Sequence, residues 1–97
     1  MGKWSQKSPF PGEPRYGAIG FSMGDKGYIG LGWNNSIYYT NFFEYNAITD
    51  LWVQKADFIG ESRAYAVGFA IGKNGYVGTG DNENEEAFSN FWVYGQQ

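Results

Sequence analysis

The sequence predicts an all-β protein built from two copies of one four-stranded antiparallel sheet. Three observations support this prediction. The composition combines 15 glycines with 21% aromatic residues, a pairing typical of β proteins with many tight turns. Bulky and small residues alternate along short segments, which is the period of a β-strand. Finally, most segments between residues 4 and 94 occur twice at a nearly constant spacing.

The repeat is clearest in a glycine-rich hexapeptide, GYIGLG, which recurs as GYVGTG 48 residues later. The same shift relates three further pairs: WSQK (4–7) and WVQK (52–55), FPGEPR (10–15) and FIGESR (58–63), GAIGFSMG (17–24) and YAVGFAIG (65–72). After one inserted residue, NFFEY (41–45) matches NFWVY (90–94). A glycine cluster can also hold a phosphate, but no helical pattern and no Gly-Lys-Ser/Thr follow here. The glycines therefore belong to a structural repeat.

Each copy divides into four predicted strands, A to D. Strand A (18–23 or 66–71) places bulky side chains on one face and small ones on the other, so another layer can approach the small face closely. A glycine-containing hairpin turn follows at 24–27 or 72–75. Strand B is predicted at 27–32 or 75–80, strand C at 41–46 or 90–95, and strand D at 51–55, with WSQK (4–7) as a further D strand.

The order of motifs resembles a kelch repeat of the glycine-rich bacterial type. An Arg precedes a small-residue strand, a hairpin with Tyr, Gly-x-Gly, Asn-Phe-aromatic-x-Tyr and a Trp with Gln-Lys. Residues 15–55 match one full repeat and 63–94 most of a second. Two details depart from the family: Gly-x-Gly replaces the usual paired glycines, and Asn46 stands where many repeats have Asp. The resemblance implies two β-propeller blades, whereas a β-sandwich or an up-and-down barrel would not need two near-copies.

Two blades would leave two apolar sheet faces in water, and the family's propellers usually have six or seven blades. Head-to-tail packing of copies would cover both faces and stop when the ring closes. We therefore predict a homotrimer of six blades; four copies would give eight blades, and seven are unreachable. Because the second blade has no D strand of its own, one protomer should close its neighbour's blade. The predicted closure residues are Trp4, Ser5, Gln6 and Lys7 of one chain with Asn90, Phe91, Trp92, Val93 and Tyr94 of the other.

Candidate ligand-binding residues lie in the loops that a propeller uses for recognition. Repeated Glu-x-Arg pairs could form a ring that receives a carboxylate or a sugar acid; they are Glu13 with Arg15, and Glu61 with Arg63. The alternative is that each Arg ties adjacent blades together by bonding loop carbonyls or the Glu of a neighbour. In the 33–40 loop, Trp33, Tyr38 and Tyr39 could stack on a sugar ring or pack between neighbouring loops, and Asn34 is a further ligand-binding candidate.

The acidic stretch from Asp81 to Glu86 has loose calcium-loop spacing but lacks the glycine at the sixth position and the acid at the twelfth. It is predicted to be a solvated loop, with no metal site and no cofactor. The chain contains neither Cys nor His, which removes a thiolate nucleophile and the commonest general base. Galactose oxidase, a kelch-type enzyme, needs both residue types around its copper.

Charge and hydropathy exclude further classes. The formal net charge is −3 without a basic cluster, so nucleic acid is not a predicted partner. No apolar stretch reaches the length of a membrane span, and MGKWSQ lacks the apolar core of a signal peptide. These features predict a soluble protein and leave the compartment open.

The sequence thus predicts a non-catalytic, self-assembling propeller module, a structural or binding scaffold whose main partner is itself. A fragment or an engineered piece of a longer propeller would have this form, with a carbohydrate or a protein as ligand. The alternative is a glycan- or sialic-acid-directed protein, or a mutarotase-like enzyme using the arginine-lined mouth, since sialic acid mutarotases resemble the chain in fold.

Overall fold

The computed structural model describes residues 2–95, which form two antiparallel sheets and no helix. Sheet 1 has the order β1-β2-β3-β4 and sheet 2 the order β5-β6-β7. The strands are β1 (Ile19–Met23), β2 (Lys26–Gly30), β3 (Phe42–Asn46), β4 (Leu51–Lys55), β5 (Val67–Ile71), β6 (Asn74–Gly78) and β7 (Phe91–Gly95). The predicted all-β class is confirmed. No helix long and apolar enough to cross a membrane occurs within this range.

Both sheets begin with a hairpin whose two-residue turn places a glycine first. Gly24 and Gly72 have φ values of 62° and 61°, the left-handed region that glycine enters without a Cβ clash. A glycine at the first central position favours the hairpin turn whose twist matches the strands. The registers are equivalent: Phe21 lies opposite Tyr28 in sheet 1, and Phe69 lies opposite Tyr76 in sheet 2.

Strand B is shorter than predicted in both copies. It ends at Gly30 and at Gly78, because the next residues, Leu31 and Thr79, turn to φ values of 61° and 62°. Leu31 is fully buried, and its positive φ is uncommon for residues other than glycine. The Gly-x-Gly motif therefore marks the exit from the strand.

The two sheets pack with the bulky face of sheet 1 against the small face of sheet 2. Ile19 and Phe21 of β1 lie against Gly68 of β5. A Cβ atom at Gly75 would collide with the Phe21 ring, so this glycine is needed for close approach. The close approach of another layer, predicted for the small face of strand A, is thus seen in sheet 2. The core gathers around this contact: Ile19, Tyr28, Leu31, Phe42 and Val77.

Residues 4–7, the predicted additional D strand, are not part of a ladder within the chain. They are exposed, and the side chain of Trp4 is 100% accessible. Sheet 2 consequently has three strands in the described structure, and the outer edge of β7 is unpaired. The prediction that these residues complete a neighbour's sheet concerns an assembly and remains a prediction.

Candidate functional site

At one end of the molecule, short bridges extend each sheet beyond its strands. Tyr16 pairs with Trp33, which pairs with Tyr38, and in the second copy Ala64 pairs with Asp81, which pairs with Ala87. The two loop ends therefore have the same backbone with different side chains. We call this region the loop end; it contains all the predicted ligand-binding residues.

The two arginines occupy equivalent positions at the loop end. Arg63 donates from Nε to the carbonyl of Glu61 (3.0 Å) and from Nη1 to the carbonyl of Thr79 (3.0 Å) and to Asn90 Oδ1 (2.8 Å). Its guanidinium lies 4.2 Å from the centre of the Phe88 ring. These contacts tie three segments of one sheet together, which stabilises the loops.

Arg15 repeats this arrangement in the first copy. It donates to the carbonyls of Glu13 (3.0 Å) and Leu31 (3.2 Å) and to Asn41 Oδ1 (2.7 Å), and it lies 4.0 Å from the centre of the Tyr39 ring. In both copies the preceding Glu accepts through its main chain, not its carboxylate. Both arginines thus bond loop carbonyls, as the alternative predicted, but each side chain binds within its own sheet, and the predicted tie between adjacent blades is not made by these contacts.

Burial distinguishes the two arginines. Arg63 is fully buried, whereas Arg15 is partly exposed. Desolvation lowers the pKa of both guanidinium groups, and the charges of Glu13 and Glu61 oppose that shift. Each Nη2 is buried and has no hydrogen-bond partner among residues 2–95. Reception of an anionic ligand by these groups remains a prediction.

Trp33 and Tyr38 form a stacked aromatic pair in the first copy. Their ring centroids are 5.5 Å apart at an interplanar angle of 19°. The indole N–H of Trp33 donates to the hydroxyl of Tyr65 at 3.4 Å, across the junction between the sheets. Desolvation, together with the charges of Asp81 and other nearby groups, raises the pKa of Tyr38. The pair is thus placed where both copies meet.

Asn34, another predicted binding residue, shapes its own loop. Its Oδ1 accepts from the amides of Ser36 (3.0 Å) and Ile37 (2.9 Å), while its Nδ2 donates to the hydroxyl of Tyr39 (2.8 Å). Asn82 does the same in the acidic loop, accepting from the amides of Asn84 (3.0 Å) and Glu86 (3.1 Å). Such side-chain turns fix loop conformation.

Main-chain hydrogen bonds join the two sheets at the loop end. The amide of Gly32 donates to the carbonyl of Arg63, and the amide of Tyr65 donates to the carbonyl of Gly17, both at 2.9 Å. Tyr65 has a φ of 60°, the conformation that Gly17 adopts with φ 62°. No side-chain chemistry is needed for this junction.

The outer faces of the two sheets are apolar surfaces. The bulky face of sheet 2 exposes Val67, Phe69, Ile71, Phe91 and Val93, each by 42% or more. On the small face of sheet 1, nothing lies within 4 Å of a Cβ built at Gly27. A shallow groove over Gly20, Gly27 and Ile29 runs along this face. Monomeric proteins rarely leave such contiguous apolar surface in water.

Each free face is the repeat copy of a buried face. Val67, Phe69 and Ile71 correspond to Ile19, Phe21 and Met23, which pack against sheet 2. Gly20 and Gly27 correspond to Gly68 and Gly75, which receive Ile19 and Phe21. The free bulky face of sheet 2 is therefore complementary to the free small face of sheet 1, just as the two buried faces are complementary to each other.

The segment before sheet 1 is anchored through Ser8. The Ser8 amide donates to Asp50 Oδ1 (3.0 Å), its hydroxyl contacts Asp50 Oδ2 (3.0 Å), and its carbonyl accepts the Trp52 indole N–H (3.0 Å). The hydroxyl of Tyr45 also donates to Asp50 (2.7 Å). The Ser8 amide and this hydroxyl lower the pKa of Asp50. Sequence reasoning missed this cluster, because Asp50 and Ser8 differ from their repeat equivalents, Gly2 and Ala56.

The predicted closure residues divide into two groups in the structure. Those of the arm, residues 4–7, are exposed and free of any strand. Those at the other end, from Phe91 onward, lie in β7, the unpaired edge of sheet 2; Asn90 directly precedes that strand and binds Arg63. Residues 4–7 have no strand partner among residues 2–95, and β7 pairs on one side only, with β6.

The fold and its loop end define an all-β protein of two equivalent antiparallel sheets packed face to face. Neither a protein-family model nor a curated protein matches the sequence. One solved structure that the chain resembles is that of YjhT, with a TM-score of 0.70 and 29% sequence identity. The match covers 84% of this chain and 25% of that chain, so this chain spans about a quarter of the YjhT chain.

Proposed function

We propose that the protein is a non-catalytic, self-assembling β-propeller module of the kelch type, which closes as a homotrimer of six blades. The observation that carries this proposal is the equivalence of free and buried faces. The bulky face of sheet 2 has the residues of a face that is already buried against a small-residue partner. The same small-residue partner is exposed on the far side of sheet 1.

Such a pair of faces produces head-to-tail association. Each protomer offers one face to the preceding copy and the other to the following copy, so the interface is heterologous and the ring ends when the rotation closes. The rotation between neighbouring protomers is twice the rotation between neighbouring sheets. Six sheets around one axis then require three chains.

The length of YjhT supports this subunit number. Since 84% of this chain corresponds to 25% of that one, the YjhT chain is a little more than three times as long. A longer chain of similar sheets would provide in one polypeptide what three copies of this chain provide together. The two sheets of this chain match one part of YjhT, which is consistent with YjhT being a tandem series of such sheets.

Strand exchange would complete each ring junction. Residues 4–7 of one protomer are proposed to add a fourth strand to β7 of its neighbour. Their counterparts in sheet 1, Trp52 to Lys55, pair with β3 in a register that places Trp52 opposite Tyr45. An exposed aromatic edge strand is an aggregation hazard, and pairing removes it.

Native mass spectrometry at micromolar concentration tests the proposal directly. We expect a trimer mass for the unmodified chain. Val67→Lys should yield monomers, because the equivalent Ile19 is only 5% exposed in the existing interface. Ile48→Lys is the matched control: Ile48 is 79% exposed and lies in the turn outside both faces, so this variant should remain trimeric. A monomeric unmodified chain would refute self-assembly, and a tetramer would refute the blade number.

A second candidate function is recognition of a glycan, including a sialic acid, or a mutarotase-like activity at the loop end. The observation that favours it is the half-buried Trp33–Tyr38 stack, because accessible aromatic rings bind the apolar faces of sugars. A glycan array and a mutarotation assay on the assembled protein would test it. Binding that is lost with Trp33→Ala and kept with Ile37→Ala would support it; no binding and no mutarotation would reject it.

A further inference from the structure

The structure contains an apolar cavity of about 120 Å³ between the sheets at their outer rim. Its walls include Phe42 of sheet 1, Val77 and Tyr94 of sheet 2, and Ala56 and Phe58 of the connection between the sheets. No side chain of residues 2–95 fills it. We propose that this cavity is the seat of the Trp4 indole of a second copy of the chain. This inference rests on the proposed self-assembly and specifies its contacts.

The first copy shows what belongs at this position. The ring of Trp52 lies 4.9 Å from the Tyr45 ring and 5.5 Å from the Phe10 ring, measured between centroids. Its indole N–H donates to the carbonyl of Ser8 at 3.0 Å. Trp52 is therefore enclosed by two aromatic rings and one acceptor. It belongs to β4, the strand that sheet 2 lacks.

Each residue that contacts Trp52 has a repeat equivalent that lines the cavity. Tyr45 corresponds to Tyr94, Phe10 to Phe58 and Ser8 to Ala56, and all three equivalents line the cavity. Phe58 already makes an edge contact with Trp92, as Phe10 does with the equivalent Phe43. The seat is thus preformed apart from its occupant.

The repeat also identifies the occupant. Trp52 corresponds to Trp4, which is 100% exposed and has no ring contact in the single chain. The register of β3 with β4 then places Trp4 opposite Tyr94 and Lys7 opposite Phe91. In this position the Trp4 indole N–H would donate to the carbonyl of Ala56, and a buried indole usually has such a partner.

The chain cannot fill this cavity with its own Trp4. Lys7 and Ser8 border the groove on the small face of sheet 1, whereas the cavity lies on the opposite side of that sheet. Ser8 is fixed there by Asp50 and Trp52. Four residues span at most about 14 Å, and they would have to pass around the sheet. The indole must therefore come from another copy.

Assembly of the full chain and its variants, measured by native mass spectrometry over a concentration series, tests the seat. We expect Trp4→Ala to raise the concentration for half-assembly by at least about tenfold, while Lys3→Ala shifts it by less than about twofold. Trp4→Ala should leave folding of the subunit unchanged, because the Trp4 side chain is 100% exposed among residues 2–95. Phe58→Ala should weaken assembly, and combining it with Trp4→Ala should add little further loss, because both changes remove the same contact.

Free indole provides a second readout. A cavity of roughly 150 Å³ left by one side chain can bind a small aromatic molecule. Millimolar indole should therefore restore part of the assembly of the Trp4→Ala variant and none of that of a Val67→Lys variant. Assembly of Trp4→Ala equal to that of the unmodified chain would overturn the seat while leaving self-assembly intact. Equal losses for Trp4→Ala and Lys3→Ala would also overturn it, whereas a monomeric unmodified chain would refute the assembly itself.

Discussion

The two sheets are built from nearly the same sequence, yet the chain completes only one of them. Sheet 1 has four strands, a buried bulky face and an anchored segment before it. Sheet 2 has three strands, an unpaired edge and an exposed bulky face. The sequence pattern alone therefore does not decide burial. The partner of each face decides it: the bulky face of sheet 1 packs against sheet 2, whereas the bulky face of sheet 2 has no partner among residues 2–95.

One substitution between the copies sharpens this contrast. Glu44 accepts a hydrogen bond from Tyr28 (2.7 Å) and lies 3.8 Å from Lys55, whereas the equivalent position in sheet 2 is Val93. Val93 is 56% exposed in the single chain. The face that is open in the single chain is thus more apolar than the one that is closed, which favours burial by another copy.

The largest expected effect comes from removing the arm. Deletion of residues 1–7 should abolish the closed ring, because β7 then has no strand to pair with and its aromatic edge stays exposed. Size-exclusion chromatography with light scattering should show aggregates or open species. A truncated chain that forms a ring of unchanged subunit number and thermal stability would contradict strand exchange.

A matched pair of glycines separates subunit folding from assembly. Gly75→Val should destabilise the single chain by about 1–3 kcal/mol, because the new side chain overlaps Phe21. Gly27→Val should leave the subunit folded, because the space around Gly27 is open in the single chain. It should prevent ring closure, because the new side chain would occupy the space into which another copy packs. Thermal melts below and above the assembly concentration measure both. Equal effects of the two variants on subunit stability and on assembly would contradict this prediction.

The arginines test whether the equivalent loops are equally stabilising. Arg63→Met should cost about 3 kcal/mol of unfolding free energy, since it leaves two carbonyls and one amide oxygen without their charged donor in a buried site. Arg15→Met should cost less in the single chain, because Arg15 is partly exposed. Chemical denaturation gives both values. If Arg15→Met lowered the unfolding free energy of the monomer as much as Arg63→Met, burial would not be the cause of the arginines' contribution.

The smallest effect concerns pH. The pKa of Asp50 is lowered in the folded chain, so the stability from this group is complete above its unfolded pKa of about 3.9 and declines as pH falls through its folded pKa. With no histidine in the chain, assembly should change little between pH 5 and 8. Asp50→Asn should flatten the acid limb of a stability titration. An assembly midpoint near pH 6.5 would reveal a carboxylate with a raised pKa.

Most of the strand pattern followed from period-2 alternation and from the repeat, because β1, β4 and β5 are local features of their own sequence. The early exit of β2 could not be predicted, since the left-handed Leu31, like the equivalent Thr79, donates its amide to the carbonyl of an Asn in another segment, and such a contact leaves no local signal. The Ser8–Asp50 anchor was also missed, because a contact between residues 42 positions apart leaves no local signal. At the loop end, the sequence identified the two arginines and, as one alternative, loop carbonyls as their partners. It did not identify the side-chain oxygens of Asn41 and Asn90, which lie 26 and 27 positions away from the arginines.

The main-chain bonds at the junction, from Gly32 to Arg63 and from Tyr65 to Gly17, have a consequence for how the protein can change over time. Since these two bonds join backbone atoms, they do not depend on which side chains surround them. The two copies already differ in this way, since the half-buried Trp33 occupies the position that Asp81 occupies in the other copy. New specificities can accumulate at this end under selection while the architecture is inherited unchanged.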